Sequence, residues 1–119
     1  MLPFVQKFAA AVDTLVGDGP IKQRLASAYS LYLADLAAHE LPAQLRHEFD
    51  ALQAALTRVA PAGSETRVRA SVQKMAPTEA AGHASSIVSI YVELLRTLER
   101  AEPLKVVGQL RKPRYLTGR

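Results

Sequence analysis

The side chains of this 119-residue chain best suited to acid–base or metal chemistry near neutral pH are its three histidines, His39, His47 and His83. His39 and His47 are each followed by glutamate, as at the start of the zinc-protease motif H-E-x-x-H. That motif needs a second histidine four residues on, so that both rings reach one metal from one helix face. Ala43 and Ala51 stand there instead. We therefore predict that both histidines lie on the surface and hold no metal.

His83 is a different case, because it stands among serines in the stretch 82-GHASSIVS-89. A histidine beside a serine can act as the general base that activates a nucleophile, which makes His83 and Ser86 the candidate residues of a polar site. No glycine-rich turn exposes the serine, however, and the spacing of the acids indicates no carboxylate partner. We predict a partly buried, structural histidine, hydrogen-bonded to a hydroxyl or a carbonyl.

Small residues recur in the same stretch, since Gly82 and Ser86 lie one helical turn apart. Small residues at this spacing let two helices approach closely. The close contact lies either inside the fold or across an interface between two copies of the chain. We favour a contact inside the fold.

Other kinds of site lack the residues they need. The chain has no cysteine, which excludes disulfides, thiolate nucleophiles and cysteine-held metals. Its six glycines form neither a G-x-x-x-x-G-K nor a G-x-G-x-x-G phosphate-binding run. We predict no enzymatic activity and no cofactor.

Positive charge is concentrated at the C-terminal end of the chain. The chain has 15 Lys and Arg and 11 Asp and Glu residues, and residues 103–119 hold five of the basic ones and none of the acidic ones. The rest of the chain is therefore close to neutral. Such a segment attracts phosphates or acidic protein surfaces, and an aromatic ring within it can stack on a base. The predicted contact residues are Lys105, Arg111, Lys112, Arg114, Tyr115 and Arg119.

The composition predicts an all-α fold. Alanine and leucine are abundant, tryptophan is absent, and β-branched residues are too dispersed to build strands. Apolar residues spaced three and four apart predict helices over about 3–16, 20–39, 42–59, 65–75 and 79–101. We predict a compact bundle of four main helices and one short helix over residues 1–102, followed by a basic, partly flexible tail over 103–119.

Residue types at the helix ends predict how the helices are joined. Gly17 is expected to take a left-handed cap after the first helix, with Pro20 in the first turn of the second. Ser64 is expected to cap the fourth helix, with Glu65 in its first turn. The short link before Pro42 predicts that helices two and three form an antiparallel hairpin.

We expect a cytoplasmic protein without membrane contact. The longest uncharged run, 80–92, is too short for a membrane span. The N-terminal segment is apolar but lacks the basic start of a signal peptide.

The predicted function is that of a non-catalytic interaction module, an adaptor or regulator that binds a protein partner with an acidic surface. Several helices are apolar around more than half of their circumference, which makes a homo-oligomer formed through helix three or helix five a further expectation. The alternative is a nucleic-acid-associated protein that binds through its basic tail.

Overall fold

The structure is a computed structural model that describes residues 2–101, with the backbone alone for Ala101. These residues contain five α-helices and no strand: α1 (Pro3–Leu15), α2 (Ile21–Ala28), α3 (Ala43–Leu56), α4 (Arg67–Gln73) and α5 (Pro77–Ala101). A π-helical segment, Tyr29–Leu33, continues α2, and a 3-10 turn, Ala38–Glu40, precedes α3. The predicted all-α bundle of four main helices and one short helix is confirmed, with α4 as the short one. The tail, 103–119, lies outside the described residues.

Buried side chains from all five helices form one apolar core. At its centre the rings of Phe8 on α1 and Phe49 on α3 meet edge to face, with centroids 5.7 Å apart and planes at 62°. Both rings are fully buried. This contact joins the N-terminal helix to a helix in the middle of the sequence.

The five helices do not pack in simple sequence order. α1 and α2 pack on each other and on α5, while α3 packs on α5 and α4. The predicted hairpin of helices two and three is therefore wrong, since α3 lies against the C-terminal helices rather than along α2. Three helices, α1, α2 and α3, thus pack on α5, and α4 packs on α2 and α3.

The second helix is shorter than predicted and changes its winding. It leaves helical geometry after Leu33 instead of continuing to His39, and over the π segment the N–H of Ala34 donates to the carbonyl of Tyr29 at 2.9 Å. A π turn takes up one extra residue of the chain. Tyr29 and Leu33 are buried, whereas Tyr32, which the α-helical spacing also places on the inward side, is partly exposed.

The π segment places the Tyr29 phenol inside the bundle, beside α3. Gln53 of α3 hydrogen-bonds to that phenol, and its Nε2 donates to the carbonyl of Leu36 at 2.9 Å. Burial raises the pKa of the Tyr29 phenol above its usual value of 10.0, and the hydrogen bond with Gln53 opposes the rise.

The raised pKa of Tyr29 predicts a loss of stability in alkali. The folded chain keeps a proton that the unfolded chain releases near pH 10, so the free energy of unfolding falls as the pH rises above about 10. Tyr29→Phe should flatten this fall. Urea unfolding of the original chain and of Tyr29→Phe from about pH 9 to about pH 11 measures how the free energy of unfolding changes with pH. The two proteins share every other titrating group, so the difference between them reports on Tyr29. An identical pH dependence would contradict the assignment.

Two turns use different residues from those predicted. Gly19, not Gly17, has the positive φ of 102°, and Pro20 precedes α2 instead of lying in its first turn. The cap of α4 is Thr66, whose Oγ1 accepts a hydrogen bond from the N–H of Arg69 at 3.2 Å, and not Ser64. Glu65 lies before the helix, where its carboxylate accepts the N–H of Ala62 at 3.3 Å.

Basic side chains bind backbone carbonyls where helices and turns end. The pairs are Arg24 with Leu15 and Gly19, Lys22 with Gln73, Arg46 with Leu41 and His39, and Arg67 with Thr57. Carbonyls at the C-terminal end of a helix lack partners within it and carry partial negative charge, which a cation offsets. Much of the positive charge of the bundle thus holds its connections in place.

Candidate functional site

His83 lies on α5 with its side chain 23% exposed. Its Nε2 is buried and has no hydrogen-bond partner. Oε2 of Glu79, one turn earlier, lies 3.8 Å from this nitrogen, and Nη2 of Arg58 lies 3.7 Å from the same oxygen. The sequence prediction missed Glu79 as a neighbour, although a spacing of four residues on a helix is the signal for such a contact.

Ser86 does not complete a catalytic pair with His83. Its hydroxyl donates to the carbonyl of Gly82 at 3.3 Å, which ties it to the backbone of its own helix. A serine nucleophile needs its hydroxyl hydrogen-bonded to the base that activates it. Within residues 2–101 no such bond joins Ser86 to His83, so the structure brings the two candidates onto one helix without the contact that catalysis requires.

The other candidates from the sequence are placed as follows. His39 and His47 are exposed. In the described part of the chain, no group of three or more His, Asp or Glu side chains is arranged to hold a metal ion. Lys105, Arg111, Lys112, Arg114, Tyr115 and Arg119 lie outside the described residues.

α5 carries two apolar stripes, one residue out of step with each other. The inner stripe is buried and consists of Ala80, Ala84, Ile87, Ile90 and Leu94. The outer face is exposed and consists of Ala81, Ser85, Val88, Val92 and Leu95, spaced by four, three, four and three residues. Its three large side chains are each 38–39% exposed. This spacing is that of a helix seam that packs lengthwise on another helix.

A groove borders the N-terminal half of the outer face. Its volume is about 490 Å³, and it lies between α5, the end of α1 and the start of α2. Val16 at its edge is 73% exposed. The apolar and small residues that line it are Leu15, Val16, Ile21, Ala81, Ala84, Ser85, Val88 and Ser89. The outer face therefore has small residues beside a groove in one half and larger apolar side chains in the other.

Gly82 bears on whether helices approach closely inside the bundle. A Cβ atom built on Gly82 would have no heavy atom of another helix within 4 Å. The expectation that its small size serves a contact inside the fold is therefore wrong, because Gly82 faces open space.

The outer face was missed in the sequence because the inner stripe accounts for α5 so well. Leu95 fits beside the inward residues by spacing, yet it is 39% exposed. The signal was the second run of small and apolar residues from Ala81 to Leu95, displaced by one position. Which of two neighbouring stripes is covered depends on where α1 and α3 pack.

No protein-family model, curated protein or solved structure matches this chain. Within residues 2–101 no helix has both the length and the apolar character to cross a membrane. What the protein does must therefore be inferred from its own surfaces.

Proposed function

We propose that the protein is a non-catalytic interaction module that binds another protein chain through the outer face of α5 and the adjoining groove. The observation that supports this proposal is the exposure of Val88, Val92 and Leu95 on one helix at coiled-coil spacing. Clustered apolar side chains that the fold leaves uncovered are typical of contact sites between proteins. An adaptor or regulatory role in the cytoplasm belongs to this proposal.

The geometry around His83 favours binding over catalysis. Ser86 donates to its own helix, and Glu79 lies between Arg58 and the His83 ring without a hydrogen bond to Nε2. The groove beside the outer face is apolar along most of its wall and is lined by side chains from the end of α1, from α2 and from α5. Such a surface suits the side chains of a partner helix.

The test is site-specific photo-crosslinking in native lysate. A photoreactive residue at position 88 should yield protein adducts, whereas the same residue at exposed Ala54 on α3 should not. The adducts at position 88 should survive nuclease treatment. Equal labelling at both positions would contradict the assignment of the outer face as the binding surface.

The second candidate function is nucleic-acid association through residues 103–119. Its support is the segregation of charge in the sequence, with five basic and no acidic residues in this segment. A chain ending at Glu102 should then lose all salt-sensitive binding to single-stranded nucleic acid. Binding that persists unchanged in the shortened chain would remove the tail from consideration.

A further inference from the structure

An open cleft between α2 and α4 brings charged side chains of both signs together over an apolar floor. Its volume is about 310 Å³, near the lower end of the range for small-molecule sites. The floor consists of Ala26 and Val72, which are 2% and 3% exposed. Lys22 of α2, Arg69 of α4 and Glu65 of the link before α4 stand around it. The cleft therefore offers a ligand both charges and a small apolar contact.

None of these three charged groups is used in an ion pair. Within residues 2–101, no carboxylate lies within 4 Å of the Lys22 ammonium or the Arg69 guanidinium. The Glu65 carboxylate accepts the N–H of Ala62 at 3.3 Å. A glutamate and an arginine four residues apart often pair along a helix, but Glu65 lies before the first turn of α4. The fold thus keeps opposite charges around one cleft without pairing them with each other.

The Lys22 ammonium is fixed in position by the protein. Its Nζ donates to the carbonyl of Gln73 at 3.0 Å, at the end of α4. An ammonium group has three N–H donors, so two remain for a ligand. Arg69 presents a guanidinium from α4, and the fork of N–H groups in a guanidinium matches the two oxygens of a carboxylate. The two cations together suit a carboxylate ligand.

We infer that this cleft binds a small zwitterion, an α-amino acid with a short apolar side chain. Its carboxylate contacts Lys22 and Arg69, its ammonium contacts Glu65, and its side chain lies on Ala26 and Val72. Glu65 repels a simple anion, and the two cations repel a simple amine. Only a ligand with both charges therefore satisfies all three groups, which makes the site selective.

The cleft is separate from the groove beside the outer face of α5. That groove takes Ile21 and Arg24 from α2, whereas the cleft takes Lys22, Gln23 and Ala26. At about 100° per residue these two sets lie on opposite sides of the helix. The inference therefore goes beyond the proposed function and does not depend on it.

Titration of the isotope-labelled, full-length protein with L-valine, followed by NMR, tests the inference. Valine should shift the backbone amide signals of Ala26 and Val72 until the shifts saturate. Isovalerate lacks the ammonium group of valine, and isobutylamine lacks its carboxylate, so each should need a concentration at least about fivefold higher. No saturable shift with valine would overturn the site. Equal affinities for valine and isovalerate would overturn the role of Glu65 and with it the zwitterion.

Neutral variants remove one charge of the cleft at a time. Glu65→Gln and Arg69→Gln should each weaken valine binding about fivefold, and they should leave the free energy of unfolding almost unchanged, because both side chains are exposed. Glu65→Gln should also bring the affinities for valine and isovalerate together, which a merely structural role would not do. Glu48→Gln on α3 and Arg96→Gln on α5, also exposed, are the matched controls and should bind valine like the original chain. Valine binding that neither cleft variant changes would overturn the site.

Discussion

Replacing Phe49 with alanine is expected to lower the free energy of unfolding by about 3–5 kcal/mol. Phe49 is fully buried and meets Phe8 edge to face at 5.7 Å, so the change removes apolar contacts and leaves a cavity at the centre of the core. Single domains are stable by about 5–15 kcal/mol, so the loss is a large fraction of the total. Urea unfolding followed by circular dichroism measures it.

The matched control for this change is Phe4→Ala. Phe4 lies on α1 and is only partly buried against the same core, so deleting its ring should cost clearly less. Phe49→Leu retains most of the buried volume and gives a measurable intermediate if Phe49→Ala does not fold. Equal losses for Phe4→Ala and Phe49→Ala would contradict the placement of Phe49 at the centre of the core.

Ser71→Ala is expected to lower the free energy of unfolding by about 1–3 kcal/mol, a large effect for the loss of one oxygen atom. Ser71 is fully buried on α4, and its Oγ accepts the N–H of Val59 at 2.9 Å. Alanine would leave that N–H without a partner in a partly buried place. The hydrogen bond fixes the path of the chain after α3, so its loss also loosens the link to α4.

Ser64→Ala is the control for Ser71→Ala. Ser64 is exposed in the same link and, contrary to the sequence prediction, does not cap α4, so its replacement should change stability by less than about 0.5 kcal/mol. Chemical unfolding of both variants under one set of conditions makes the comparison. If Ser64→Ala lowers the free energy of unfolding as much as Ser71→Ala does, then Ser64 caps α4 after all.

Long apolar stripes were predictable because their residues repeat with the helical period whatever they pack against. Leu45, Phe49, Leu52 and Leu56 on α3 are all buried, as their spacing predicts. The same rule located α1 and α5 closely. Periodicity reports which face of a helix is apolar, and in this bundle that face points to the core.

The turns and the π segment depend on side-chain contacts that form only in the folded chain. Gly17 and Gly19 are equally able to adopt a positive φ, and the hydrogen bond from Arg24 to the Gly19 carbonyl, at 2.7 Å, belongs to the conformation in which Gly19 does so. Helical spacing allows both Tyr29 and Tyr32 to face inward, and Gln53 on α3 is the hydrogen-bond partner of Tyr29. Local residue preferences cannot distinguish such alternatives.

The candidate surface was only half visible in the sequence. Helix five was identified as one possible contact helix, together with helix three, but the exposed residues were not separated from the buried ones. Val88 and Ile87 are equally apolar neighbours, yet one is 39% exposed and the other fully buried. Only the positions of the neighbouring helices decide between them.

The basic side chains that bind backbone carbonyls also shape the electric field around the bundle. Arg24, Lys22, Arg46 and Arg67 direct cationic groups at the ends of helices and turns. A hydrogen bond to a neutral carbonyl leaves the charge of each cation in place but fixes its position, so these four charges stay at the ends of helices and turns. Electrostatic interactions are screened within about 10 Å at 0.1 M salt, so the fixed position of each charge matters mainly for a partner at close approach.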